Sequence, residues 1–281
     1  MVSVKSNKSK TRCERMTVCN RKGGCGKTSV AINLAASLVK KGFKVLAVDF
    51  DPQADLTQTL GQSAPEEYRD LEKTVYDLLM KKDGLLTDFI TSSKIPGLDI
   101  IPSSDDLQDT PLIESRYVIP TLCLQSRLSH ANLDGEYDYL IIDTPPHFPF
   151  YVQAALTASD WYIIPVSSGS KFALTGLTKV IKGINQVRME ANPDLRALGI
   201  LVTLYDGRTN VSRVMEKRLK DTYGEHVFEA VLTRSTVQQK AESRGLAVQD
   251  TAKTSNLAND YRALRTEVLT RIKQGGTLLT A

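Results

Sequence analysis

The 281-residue chain is 41 % hydrophobic and 24 % charged, the composition of an ordinary globular protein with room for one large α/β domain or two small ones. No stretch approaches the roughly 18 to 20 apolar residues that a membrane span needs, and the N-terminus lacks a signal-peptide pattern, so a cytoplasmic protein is expected. The formal charge of +4 is accounted for by the leader MVSVKSNKSKTRCERM, where Lys5, Lys8, Lys10, Arg12 and Arg15 oppose Glu14; with a neutral body, any nucleic-acid affinity must come from a local patch or from this tail.

Residues 1–15 read as a basic, solvated leader, 16–274 as one domain, and 275–281 as a flexible C-terminal tail. MTVCN (16–20) is apolar enough for a buried strand, and the helix opening at the glycine loop behind it carries Val30, Ile32, Leu34, Ala35 and Leu38 before closing near Lys41-Gly42. KVLAVDFD (44–51) follows as a second buried strand with acids at its end, a strand–loop–helix–strand unit that requires parallel pairing and a right-handed crossover. Short helical patterns occupy Val75 to Met80 and Leu85 to Ile90. Further strands are expected at LDIIP (98–102), YDYLIID (137–143), WYIIPV (161–166) and LGILVTL (198–204), with a weaker one at HVFEAVL (226–232). Helices are expected at 112–130, 172–190 and 209–222, and a last one over 256–274 places Leu257, Tyr261, Leu264, Val268 and Ile272 on one face. The alternation of strands and helices predicts an α/β fold: a doubly wound, mostly parallel sheet with helices on both faces.

Four cysteines, Cys13, Cys19, Cys25 and Cys123, show no CxxC spacing, and reduced thiols are the expected state. An iron–sulfur site is not expected from one chain, although a symmetric dimer could pool one cysteine from each subunit.

The chemistry concentrates in NRKGGCGKTS (20–29). Glycines let successive backbone N–H groups face one anion while the following helix presents its positive N-terminus to the same point. Gly23, Gly24, Cys25, Gly26, Lys27, Thr28 and Ser29 are therefore expected to wrap a nucleotide triphosphate, with Lys27 on its phosphates and Thr28 completing the shell of a Mg²⁺ ion. The pattern GxxxxGK[ST] wants glycine six positions before the lysine, where this chain has Arg21. Asp143 closes an apolar strand at the sheet edge where doubly wound folds bind ligands and is the expected Walker B acid, holding Mg²⁺ directly or through water.

The run Lys-Gly-Gly-x-Gly-Lys-Thr resembles the deviant Walker A motif of the ParA/MinD family of ATPases, and DTPP (143–146), DFDPQ (49–53) and later segments extend the similarity over about residues 16 to 270. The resemblance is to small ParA/Soj-type partition proteins, and the leader is too short for an added helix-turn-helix domain. It implies an ATPase using ATP and Mg²⁺, in which Asp51 orients the attacking water and Lys22 crosses an ATP-sandwiched homodimer to the partner's nucleotide. Asp49 is given a structural or outer-shell metal role, Asp55 a place in the nucleotide switch, and Thr233 and Arg234 a place in the loop over the base. His147, after the DTPP motif, is read as a surface or switch-loop residue.

The resemblance further implies that the dimer binds double-stranded DNA nonspecifically and meets a ParB-type centromere-binding partner, in a cytoplasmic, nucleoid-associated setting. Arg208, Arg213, Lys217, Arg218, Lys220, Arg234, Lys240 and Arg244 are the candidate DNA contacts, of which Arg213, Lys217 and Lys220 share a helix face. Three other readings stay open: a MinD-like membrane switch using the last helix, an iron-protein-like reductase, and a positioning ATPase for another cargo.

Overall fold

The structure, a computed structural model, describes residues 12–81, 83–146, 149–169 and 173–280, so the expectation for His147 lies outside the described residues. Among the described residues seven strands, β1 (Glu14–Val18), β2 (Val45–Asp49), β3 (Thr91–Ser92), β4 (Leu98–Ile101), β5 (Tyr139–Asp143), β6 (Trp161–Ser167) and β7 (Arg196–Thr203), form one sheet in the order β3-β4-β2-β5-β1-β6-β7. Every pairing is parallel except that of the two-residue β3 with β4.

The strands are continuous apolar runs because both of their faces are covered. Along β2, Val45 and Ala47 enter one core while Leu46 and Val48 enter another on the opposite face. The first core is closed by helix Lys27–Val39 and the terminal helix Asn256–Lys273, which pack against each other. The second is closed by Val75–Met80, Cys123–Ser129 and Pro149–Thr157, and Ala173–Glu190 with Asn210–Tyr223 extend that layer over β6 and β7.

The register sets the site. Val18, Asp143 and Asp49, the last residues of β1, β5 and β2, stand side by side at the carboxyl edge. The chain runs from β1 toward β2 on one side and from β5 past β1 to β6 on the other, and this reversal between neighbouring strands opens the crevice where such sheets bind ligands.

Several boundaries differ from those expected. β1 starts at Glu14, whose carboxylate accepts a hydrogen bond from Trp161 Nε1 at 2.7 Å, so the ordered sheet reaches into the leader. The 112–130 helix is broken into Thr110–Arg116 and Cys123–Ser129, since Pro120 excludes a continuous ladder. The 226–232 segment is not a strand; it touches β7 through a single bridge, Ile200 with Val227, and just beyond both Tyr205 is bridged to Thr233. Nor is 275–280 a free tail: Gly275 and Gly276 turn the chain with φ of 84° and 60°, Thr277 bridges Ala197 of β7, and Leu279 is buried. The terminal helix buries Leu257, Tyr261, Leu264 and Val268 in the core, and no helix among the described residues is long and apolar enough to cross a membrane.

Candidate nucleotide site

The loop between β1 and helix Lys27–Val39 turns at Gly24 and Gly26, whose φ values of 66° and 85° are left-handed conformations that a side chain would strain. A Cβ built on Gly23, Gly24 or Gly26 would meet no atom of the described residues beyond its chain neighbours within 4 Å, so the space above these backbones can admit a ligand. Thr203 Oγ1 at the end of β7 donates to Cys25 O at 2.8 Å and anchors the loop from below. Burial pushes the Cys25 thiol up, so it stays a neutral donor, to Lys22 O at 3.2 Å. Lys27 is 6 % exposed, and its Nζ rests 3.4 Å from Lys22 O, while the Lys22 side chain is exposed.

Asp143 faces this loop fully buried, and among the described residues neither carboxylate oxygen has a hydrogen-bond partner. Thr28 stands beside it outside direct hydrogen-bond geometry and, with Lys27, favours the charged form; burial and the neighbouring Asp49 prevail and push its pKa well up. A buried carboxylate with two orphaned oxygens next to a threonine hydroxyl fits a divalent cation, which would supply the missing positive charge. Among the described residues no three His, Cys, Asp or Glu side chains form a metal cage. Mg²⁺ is held by one or two protein oxygens together with phosphate and water, a donor set that Asp143 and Thr28 would supply.

Asp49, also buried, is occupied differently. Its Oδ2 accepts from Thr57 N at 2.8 Å and Thr57 Oγ1 at 2.6 Å, and its Oδ1 from Asp51 N at 3.3 Å. Burial raises it to about 7 against the opposing pull of these bonds. Thr57 Oγ1 in turn accepts from Ser103 N at 2.8 Å, and Ser103 Oγ donates to Asp51 O at 2.7 Å. This network ties the loop after β2 to the end of β4, with Ala54 strained at φ 56° in between. Asp51, raised by burial, keeps Oδ1 on Gln53 N at 3.0 Å and lines the cavity above the glycines.

That cavity has a volume of about 850 Å³. Gly23, Gly24, Gly26, Lys27, Thr28 and Ser29 form one side, Asp51, Gln53, Asp55, Gln58, Thr59 and Lys94 a second, and Glu242, Ser243, Arg244 and Gly245 a third, with Pro146 at its edge. Ser29 Oγ donates to Glu242 Oε1 at 2.9 Å across the wall. Thr233 and Arg234 are not in this lining. The Thr233 amide and hydroxyl donate to Asp260 Oδ2 at 3.0 and 2.6 Å, and Arg234 N donates to Tyr205 O, which holds that segment against β7 and the terminal helix.

The expected DNA contacts are dispersed. Arg208 forks onto Asp206 with two bonds of 2.9 Å, and Lys220 is paired with Glu216 and Glu229. Arg244, also exposed, lines the cavity above the glycines. Arg213, Lys217 and Arg218 remain exposed on helix Asn210–Tyr223, and Arg234 and Lys240 are exposed nearby in sequence.

The residues that sequence reasoning missed are Asn20, Thr57, Ser103, Lys94 and the 242–245 wall. Asn20 could have been noticed, as a polar residue ending an apolar strand immediately before the glycine loop. The others depend on tertiary convergence.

A family model described as "AAA domain" (AAA_31) matches residues 13–197. The chain is 34 % identical over 267 residues to the chromosome-partitioning ATPase Soj of Thermus thermophilus, covering 94 % of this chain and 99 % of that protein. It is 33 % identical over 233 residues to the chromosome partitioning protein ParA of Caulobacter vibrioides, covering 83 % and 85 %. The crystal structure of cobyrinic acid a,c-diamide synthase from Mycobacterium smegmatis with bound ATP analog and magnesium matches with a TM-score of 0.79 at 28 % identity, covering 96 % of this chain and all of that one. The glycine loop, the buried strand-end acid and these similarities together make the chain a member of the ParA/MinD family of deviant Walker A P-loop ATPases.

Proposed function

We propose that the protein is a partition ATPase whose ATP-bound form is a sandwich dimer that binds DNA and is reset by slow hydrolysis. The observation that carries this reading is the division of labour within one loop: Lys27 buried against its own glycines, Lys22 exposed beside them. Lys27 would move from Lys22 O to the β- and γ-phosphates of ATP, met also by the N–H groups of the loop and helix start. Thr28 and Asp143 would hold Mg²⁺, which supplies charge neutralisation between the phosphates when bound. Asp51, on the loop that Asp49, Thr57 and Ser103 hold in place, would orient the attacking water. Lys22 would reach the nucleotide of a second copy, where two facing triphosphates need compensating charge before the subunits close.

The test is Lys22→Ala. ATP-dependent dimerisation by sedimentation and phosphate release should both fall sharply while ADP still binds the monomer. Unchanged dimerisation and hydrolysis would overturn the trans role.

The output is proposed to be nonspecific duplex binding in a cytoplasmic, nucleoid-associated setting. Its contacts are Arg213, Lys217 and Arg218 on the exposed side of their helix, doubled in the dimer. The proposed partner is a ParB-type centromere-binding protein that stimulates hydrolysis, and relatives named for chromosome partitioning support that choice. A filter assay should show tighter, salt-sensitive binding with ATP than with ADP; equal affinities would count against it.

A further inference from the structure

The segment that carries Lys22 is suspended between two strands. Pairing of β1 with β6 ends at Val18 and Ile163, and Cys19 N adds one more bond to Ile163 O at 3.1 Å. In a parallel ladder the next acceptor on β6 is two residues on, at Pro165. The β1 chain has already left the sheet, and Asn20 supplies the missing donor from its side chain: Nδ2 donates to Pro165 O at 2.7 Å. Its Oδ1 accepts from Lys22 N at 3.1 Å, and the residue is 8 % exposed.

The Lys22 backbone is thus gripped at both ends. Its N–H is held by Asn20, which is fixed to β6; its carbonyl is held by Cys25 Sγ and Lys27 Nζ, in a loop that Thr203 fixes to β7. The residue is nonetheless exposed. When Lys27 turns to a phosphate, one of the two carbonyl contacts goes, and Asn20 becomes the main restraint on where the Lys22 backbone sits.

We propose that Asn20 is the positioning residue for Lys22, aiming it across the dimer without itself touching either nucleotide. The inference rests on the trans reading of Lys22. A long, mobile lysine delivers its charge to a distant phosphate only if its backbone origin is fixed, since each freed rotation lowers the share of productive poses.

The test uses the full chain as wild type, Asn20→Ala, Asn20→Asp, Lys22→Ala and the Asn20→Ala/Lys22→Ala pair. Fluorescent ADP reports the monomer's own site, and sedimentation with Mg²⁺ and a nonhydrolysable ATP analogue reports the dimer. Asn20→Ala should weaken the dimer about tenfold, the worth of one well-made buried hydrogen bond, with ADP affinity held within about threefold. Asn20→Asp, which sets a carboxylate oxygen against Pro165 O, should do at least as much damage. The pair should be no worse than Lys22→Ala alone, because both changes remove the same interaction.

An unchanged Asn20→Ala dimer, a parallel fall in ADP affinity, or additive losses in the pair would each overturn the inference. If Lys22→Ala itself leaves the dimer intact, the trans reading fails and takes this one with it. A dimer that needs Lys22 yet tolerates Asn20→Ala sinks the positioning role alone.

Discussion

Replacing Thr57 with valine keeps the side-chain shape and removes one hydroxyl from the network behind Asp51. Thr57 is fully buried, and its Oγ1 both donates to Asp49 Oδ2 at 2.6 Å and accepts from Ser103 N at 2.8 Å. Losing the first bond costs about 1 kcal/mol, and leaving the buried Ser103 amide without an acceptor costs about 1 to 3 kcal/mol more. Thr57→Val should therefore destabilise the fold by about 3 kcal/mol, or roughly 6 °C in Tm for a domain of this size. Thr57→Ser, which retains the hydroxyl and loses one methyl, should cost about 1 kcal/mol. Denaturant unfolding of the three proteins at one pH measures the difference. A valine variant within 0.5 kcal/mol of the serine variant (about the coupling error of such comparisons) would refute the claim that this hydroxyl joins Asp49 to β4. If the network also sets Asp51, Thr57→Val should lower kcat at temperatures where it remains folded.

Three further outcomes follow from the same geometry. Asp49 is raised to about 7 from an ordinary 3.8, so the folded chain holds its proton where the unfolded chain has lost it. Its contribution is greatest below about pH 4 and declines as pH rises through 7; the stability difference between wild type and Asp49→Asn should fall in that direction, measured by urea midpoints at pH 5 and pH 7.5. Leu279→Ala should cost about 2 to 3 kcal/mol by calorimetry, as for any buried leucine, whereas a solvated tail would show no change. In the proposed DNA-bound dimer, Lys217→Ala and Arg218→Ala should each reduce the salt slope by about two ions, one from each copy, and Arg208→Ala, whose guanidinium is already engaged by Asp206, should alter it less.

The glycine loop and the strand-end acids were legible because their information is local. Left-handed turns need glycine, and an apolar run closed by aspartate needs a sheet edge. β2 and β5 read cleanly for the related reason that strands buried on both faces leave no ambiguity of pattern. The 226–232 segment misled because Val227, Phe228 and Leu232 are buried like strand residues, yet the chain only skirts β7 and hydrogen-bonds to it at intervals. Helix Pro149–Thr157 escaped notice because it is apolar nearly all round, packed between the sheet and its neighbours, and so lacks a polar stripe to reveal its period. The third wall of the cavity comes from Glu242 to Gly245, some 215 residues from the glycine loop, and no spacing along the chain announces that meeting. The same distance explains why Arg244 read as one more surface cation.

The outer side of β7 is covered almost from end to end. Thr277 takes Ala197, Val227 takes Ile200, Leu232 N donates to Val202 O at 2.9 Å, and Thr233 takes Tyr205 just beyond the strand. A bare sheet margin is a template on which another extended chain can crystallise, and here two unrelated pieces of the same polypeptide have already filled the docking positions. At the opposite margin β3 is two residues long and offers little purchase. Joining copies strand to strand, a cheap and irreversible route, is in this way closed at both margins, and the nucleotide-linked pairing proposed above would fall to the loops at the carboxyl ends.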